Sequence, residues 1–388
     1  MTFVIITHVP HKFVQQQYFA YGPYVNEMNI WGNHVSHLHI VATLSQDSVS
    51  VIDVPYLHDS VFFQPVEAFS LISFKHIIQA IFKIPKISAS IFKAMQQADH
   101  IHLRCPGNMG LLGAIIQIAF PKTQKTAKYA GNWDPKAKQP WSYRLQKWIL
   151  SNTFLTRNIH VLVYGDWKGC SKNIKPFFTA TYSEKDKTDL DCLQTNRLTM
   201  LRLSEIRLLF VGTLSKGKQP LYAIQLVEKL HQQGYSVCLD LFGEGVERQQ
   251  LESYLLEKDL QNRIVLHGNQ TKETIQLAYQ SSHFLILPSK SEGWPKVVAE
   301  AMFWGCVPLA TAVSCVSTML ANGDRGLLLS MDTENDSTQI QNTVVDASIF
   351  LSKSTKAAQW SRLYTLDYFE TEIKKLVHGV MSLKTKSS

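Results

Sequence analysis

Along the second half of the chain, short apolar runs alternate with amphipathic stretches. Leu208-Leu209-Phe210-Val211 is closed by Gly212, a pattern that predicts a strand buried on both faces. Pro220 suits a first helical turn, Leu221, Ile224, Val227 and Leu230 follow at helical spacing, and Gly234 stands where a helix end favours glycine. The cycle repeats as strand 237–242, helix 246–258, strand 264–267, helix 271–280, strand 284–287, helix 296–304 and strand 307–310. Strands and helices joined alternately by short loops predict a parallel sheet with right-handed crossovers, that is, a doubly wound α/β domain.

The first half follows the same grammar with weaker punctuation. Strands are expected at 3–7, 38–42, 100–103, 127–130 and 160–164, with helices near 68–96, 108–119 and 140–155. The predicted organisation is a Rossmann-like domain over 1–180, a polar linker over 181–204, a second domain over 205–352, and C-terminal helices over 353–388 that brace both domains. In the last segment, Trp360, Leu363, Tyr364, Phe369, Ile373 and Leu376 form the apolar pattern. Ligands of such two-domain proteins usually bind in the cleft between the domains.

Length and composition narrow the classes. A chain of 388 residues with 45% apolar and 18% charged side chains excludes wholesale disorder. Six dispersed cysteines make neither a disulfide framework nor a zinc site, and the N-terminus lacks the basic region of a signal peptide. No apolar run reaches spanning length, since 111–120 is about half of what is needed. A cytoplasmic location is expected, with the inner face of the membrane as a candidate surface. The net charge of +8 is carried by the first half: residues 75–175 hold 16 basic and 3 acidic side chains. Lys75, Lys83, Lys86 and Lys93 interleave with Ile77, Ile81, Phe82 and Phe92, a pattern that suits an anionic membrane or an ordinary helix with its lysines in water. Pro85 should break or kink that helix. Nucleic acid is not expected as a partner, because no recognition motif accompanies the charge.

The segment 288–310 carries the strongest chemical signal. It places Glu292 in a loop after a strand, Pro295 at a helix start, and Glu300 about one and a half turns further on. Helix N-termini suit phosphate, and a carboxylate nearby can accept hydrogen bonds from the vicinal hydroxyls of a ribose. Each candidate has a plain structural alternative. Glu292 and Glu300 could be solvated carboxylates, and Lys218 a turn lysine. Arg104, after a strand, is either an anion ligand or part of an ordinary loop, and Asn132 and Asp134 are either acceptor-side residues or a structural turn.

The spacing of Glu292 and Glu300 inside Ser-Glu-Gly-Trp-Pro…Glu-Ala-Met…Gly-x-x-Pro resembles the signature of the family 4 (group 1, glycogen-synthase-like) glycosyltransferases. Phe210-Val-Gly-Thr-Leu-Ser-Lys-Gly-Lys218, Gly243-Glu-Gly245 and Val265-Leu-His-Gly268 agree in order. The resemblance is specific over about 206–330 and architectural elsewhere. It implies a GT-B fold: two facing Rossmann-like doubly wound parallel-sheet domains with a cleft between them. It implies a transferase that moves a sugar from a nucleotide diphosphate-sugar to a glycan or lipid-linked acceptor in cell-envelope synthesis, with retention of configuration and without a metal or other cofactor. It further implies that Glu292 sits beside the donor sugar and that Lys218 binds the diphosphate. Gly212, Thr213, Gly268, Gly293, Trp294, Pro295, Lys296 and Val297 would surround the donor, and Glu300 would bind the ribose. Thr213 stands where the family usually has arginine, which leaves Lys216 or a basic residue of the first domain to replace it. An epimerase on the same fold and a non-catalytic nucleotide-sugar binder are the alternative functions.

Overall fold

A computed structural model describes residues 1–69, 74–202 and 205–379; the side chains of 74–79 and of Arg202 lie outside that description. The chain separates into two compact units, Met1–Phe178 with Phe369–Ser388, and Thr179–Tyr368.

The first unit is built on a seven-stranded, wholly parallel sheet. Its order is Ile174–Phe177, Ile159–Tyr164, Gln124–Tyr129, His100–Cys105, Thr2–Ile6, His37–Ala42, Val61–Pro65. The five strands legible as apolar runs form the centre, where both faces are covered. The two edge strands escape the pattern because edges need only partial burial, and Phe62 on one of them is exposed. A helix, Gly22–Gly32, and a small antiparallel sheet of Lys12–Val14, Gln17–Tyr21 and Asp53–Pro55 were likewise not anticipated. Helices Phe74–Gln96, Asn108–Ile116 and Trp141–Ser151 pack side by side. The first runs through Pro85 without ending. Pro85 and Ile81, whose carbonyl loses its partner, both lie on the exposed side, where water can replace the missing N–H. Residues 70–73 and 380–388 of the predicted helical stretches lie outside the described residues.

Some of the polar groups buried in this core are held by one another or by backbone. His100 and His102 share the Thr126 hydroxyl at 2.9 and 2.8 Å and pack against Phe3. Lys128 donates to the Phe178 carbonyl at 2.7 Å beneath the rings of Tyr164, Phe177 and Phe369. That contact fixes the returning helix Leu366–His378, which from Phe369 onward belongs to the first unit.

The second unit carries a six-stranded parallel sheet in the order Ile264–Gly268, Ser236–Phe242, Glu205–Val211, Phe284–Leu287, Val307–Thr311, Leu327–Leu329. Numbered from its own first strand this is 3-2-1-4-5-6, so the winding direction reverses between Glu205–Val211 and Phe284–Leu287. The loops that leave those two strands are therefore the place for a ligand. Between the strands lie helices Pro220–Gln232, Arg248–Glu257, Lys272–Ser281 and Lys296–Phe303, with Thr333–Val345 and Ala347–Ser361 after the last strand.

The predicted linker is largely a helix. Leu190–Arg202 folds onto the second unit through Arg197, which is fully buried. Its guanidinium donates to the carbonyls of Ser282 (2.7 Å), Tyr279 (2.8 Å) and Trp304 (2.9 Å), at the C-terminal ends of helices Lys272–Ser281 and Lys296–Phe303. Those carbonyls have no partner within their own helices, and a cation there also meets the negative end of each helix dipole.

Candidate active site

The floor of the site is stitched from backbone. Gly212 N–H donates to Phe242 O (2.9 Å), Leu214 N–H to Glu244 O (3.0 Å), Gly243 N–H to Gly268 O (2.8 Å), and Lys290 N–H to Gly217 O (2.9 Å). Four successive loops are thereby held against one another at the C-terminal edge of the sheet. Such closeness requires glycine: a Cβ on Gly243 would lie 2.0 Å from Gly212 O, and one on Gly245 2.2 Å from Leu214 O. The Gly-Glu-Gly turn thus has a steric cause. Gly268, with φ of 69°, leaves room only for the Glu244 carboxylate, which pairs with Arg248 at 2.7 Å. Next to it His267 stacks on Phe242 and bonds to Asp240 at 2.6 Å.

Glu292 and Lys218 come from the two loops at the winding reversal and form an ion pair with each other. Sequence places them 74 residues apart; the topology makes them neighbours. The Gly293 carbonyl accepts hydrogen bonds from Ser314 Oγ and Cys315 Sγ, both at 3.2 Å. Burial pushes the Cys315 thiol up to about 12, so it stays protonated and able to donate. Trp294 is an anchor, its indole stacked on Trp360 and edge-on to Tyr364. Pro295 then precedes helix Lys296–Phe303, whose N-terminus no side chain among the described residues caps. Lys296 and Val297 occupy its first turn. Thr213, Lys216 and Lys290 are exposed on the same pair of loops.

Glu300 lies on that helix with both carboxylate oxygens engaged: Thr181 Oγ1 donates at 2.6 Å and Tyr279 Oη at 3.0 Å. Burial, together with the Glu300 charge, raises the Tyr279 phenol well above its usual range, so it remains a donor. Lys272 secures the segment before it, bonding to Thr181 O at 3.0 Å and lying over the Tyr182 ring. Neither Thr181 nor Tyr279 was anticipated. The first falls in a stretch whose composition reads as linker, and the second occupies an apparent core position of its helix.

In the first unit, the acceptor-side candidates are used internally. Arg104, expected as either an anion ligand or part of an ordinary loop, donates to Glu27 at 2.9 Å and packs over the Tyr24 ring, with Glu27 itself buried. Asn132 Oδ1 accepts from Asp134 N–H and Asp134 Oδ1 from Lys136 N–H, both at 2.8 Å, so these side chains form consecutive turns. A cavity of 720 Å³ does open beside this unit's own winding reversal, between Thr2–Ile6 and His100–Cys105. Its walls include His8, Asn108, Trp141 and Tyr143. Burial and the Arg104 charge depress the basicity of His8.

Two doubly wound parallel-sheet domains, the second with paired glutamates at its winding reversal, define the GT-B class of architecture. Residues 200–347 match the family described as glycosyl transferases group 1. An uncharacterized glycosyltransferase of Methanocaldococcus jannaschii is 28% identical over 96 residues, a stretch that spans 25% of this chain and 27% of that protein. Solved structures share the fold over nearly the whole chain. Sucrose-phosphate synthase of Thermosynechococcus elongatus is 16% identical with a TM-score of 0.68, covering 98% of this chain and 99% of its own. Anabaena HepE in complex with UDP-glucose is 12% identical with a TM-score of 0.69, covering 98% and 100%. WaaG, a glycosyltransferase involved in lipopolysaccharide biosynthesis, is 11% identical with a TM-score of 0.66, covering 98% and 100%.

Proposed function

We propose that this protein transfers a sugar from a nucleotide diphosphate-sugar to an acceptor hydroxyl, with retention of configuration and without a metal. The observation that carries the reading is the Lys218–Glu292 pair at the winding reversal, one helical segment away from Glu300. In this reading Glu300 accepts hydrogen bonds from the ribose hydroxyls. The first turn of helix Lys296–Phe303 faces the diphosphate, and Glu292 sits against the donor sugar. Lys218 then offsets the charge that builds on the departing diphosphate, in a site where preorganised charge acts more strongly than in water. The likeness to proteins solved with UDP and UDP-glucose makes uridine nucleotides the first donors to try. The acceptor in this reading is a cell-envelope glycan or its lipid carrier, and the first unit supplies its site.

Calorimetric titration with UDP, GDP, CMP and ADP, on wild type and on Glu300→Ala, tests the donor site. One nucleotide should bind and the variant should weaken it; no binding by any of them would remove the reading. Thr213, exposed where the resemblance calls for arginine, favours the second reading of a non-catalytic binder. Donor left intact after incubation with candidate acceptors would support that reading instead.

A further inference from the structure

The basic amphipathic pattern over residues 75–93 is one candidate surface of the first unit, but a different helix presents two exposed tryptophans. Trp141–Ser151 packs on the core with Gln146, Ile149 and Leu150. Its opposite face turns apolar side chains to solvent: Trp141 is 56% exposed, Leu145 36% and Trp148 60%. Positions 141, 145 and 148 lie on one side over two helical turns, roughly 10 Å of length. Three residues past the helix end Phe154 is also turned to solvent, 72% exposed. Phe154 is held outward by a turn in which Asn152 Oδ1 accepts from the N–H groups of Phe154 and Leu155, at 3.0 and 3.1 Å. An apolar stripe of this size, fixed in place and ending in aromatic rings, marks a surface that binds something.

Charge identifies the occupant. Between Asp134 and Asp166 the chain has no acidic residue and five basic ones: Lys136, Lys138, Arg144, Lys147 and Arg157. Arg144 is exposed beside the stripe, and the Arg157 guanidinium sits 4.9 Å over the Phe154 ring. Tryptophan and phenylalanine edged by arginine suit the boundary between headgroups and acyl chains of an anionic bilayer, where the rings enter and the cations stay with phosphate. A protein partner would more often offer acidic groups at fixed positions and receive a drier, less uniformly basic rim. Trp141, moreover, is both the first residue of the stripe and a wall of the 720 Å³ cavity. A headgroup entering that cavity would leave its lipid on the stripe.

We infer that helix Trp141–Ser151 and the turn through Arg157 form the surface on which the first unit docks to an anionic lipid bilayer, presenting the cavity to a lipid-anchored acceptor. The inference deepens the proposed function, since it rests on that reading for the acceptor's role. Its test is independent of donor chemistry. The full chain is floated with vesicles of phosphatidylcholine alone and of phosphatidylcholine with phosphatidylglycerol, at low and physiological salt. Wild type should float with the anionic vesicles and lose binding as salt rises. Trp148→Ser with Phe154→Ser should weaken binding on the order of 10-fold or more, with unchanged thermal stability, because both side chains are exposed. Lys86→Glu on helix Phe74–Gln96 should weaken it less. Wild type that stays at the bottom at low salt, or a double variant that floats like wild type, overturns the inference. So does a dimer in light scattering that Trp148→Ser dissolves, which would give the stripe to a second copy. Nucleotide titration on the same samples separates the two readings: flotation without nucleotide binding removes the proposed donor chemistry and leaves the surface standing.

Discussion

Glu300 shows how little of a carboxylate's behaviour is set by its own identity. Its two oxygens accept from Tyr279, which is buried, and from Thr181, on the segment where the chain enters the second unit. In the proposed function Tyr279 positions the carboxylate and the Thr181 hydroxyl stands where a ribose hydroxyl would donate. Tyr279→Phe should therefore weaken a ribonucleoside diphosphate by roughly 10-fold, the scale of one hydrogen bond to a charged group. A 2′-deoxy analogue should be affected less, and titration of both ligands on both proteins measures the difference. The Lys218–Glu292 pair makes a different demand. Lys218→Met should lower kcat on the order of 100-fold while changing KM much less, because the lost charge acts chiefly on the departing diphosphate. Steady-state kinetics with a turned-over donor checks the split.

At the scale of elements, helix Leu190–Arg202 holds the C-terminal ends of the helices that carry Tyr279 and Glu300. Arg197→Met leaves three buried carbonyls without their donor, and unfolding in urea should show a loss of about 3 kcal/mol or more. This helix was illegible because its most buried positions, Gln194 and Arg197, are polar: a buried arginine satisfied by carbonyls from distant helix ends looks in sequence like a solvated linker residue. The central strands were legible for the opposite reason. A strand covered on both faces must be an apolar run, and Leu208–Val211 or Phe284–Leu287 can hardly be read otherwise. Of the candidate site, the glutamate spacing and glycine turns were visible because both answer to local geometry. Arg104 could not be judged from its neighbours in sequence, since the group that occupies it, Glu27, lies 77 residues away.

At the scale of the whole molecule, buried imidazoles set the response to acid. Burial lowers His11 to about 4 and His100 to about 3 in the first unit, and His283 to about 4 in the second. Each makes a local bond, His11 to Tyr56, His100 to Thr126 and His283 to the Arg207 N–H, and the last of these, in which the ring accepts, needs the neutral imidazole. The unfolded chain, with imidazoles near 6.5, takes up protons that the folded chain refuses, so stability is complete above about pH 6.5 and falls as pH drops toward 4. At pH 5 each of the three removes about 2 kcal/mol, and together about 6 kcal/mol, a large part of the 5–15 kcal/mol typical of a folded protein. Because the three lie in both units, both should weaken over the same range. Thermal unfolding followed from pH 7.5 to 4.5 should show a steep fall in Tm beginning below pH 6.5. His283→Asn should flatten the slope by about one proton, while a Tm unchanged down to pH 5 would show that these rings are charged in the folded protein.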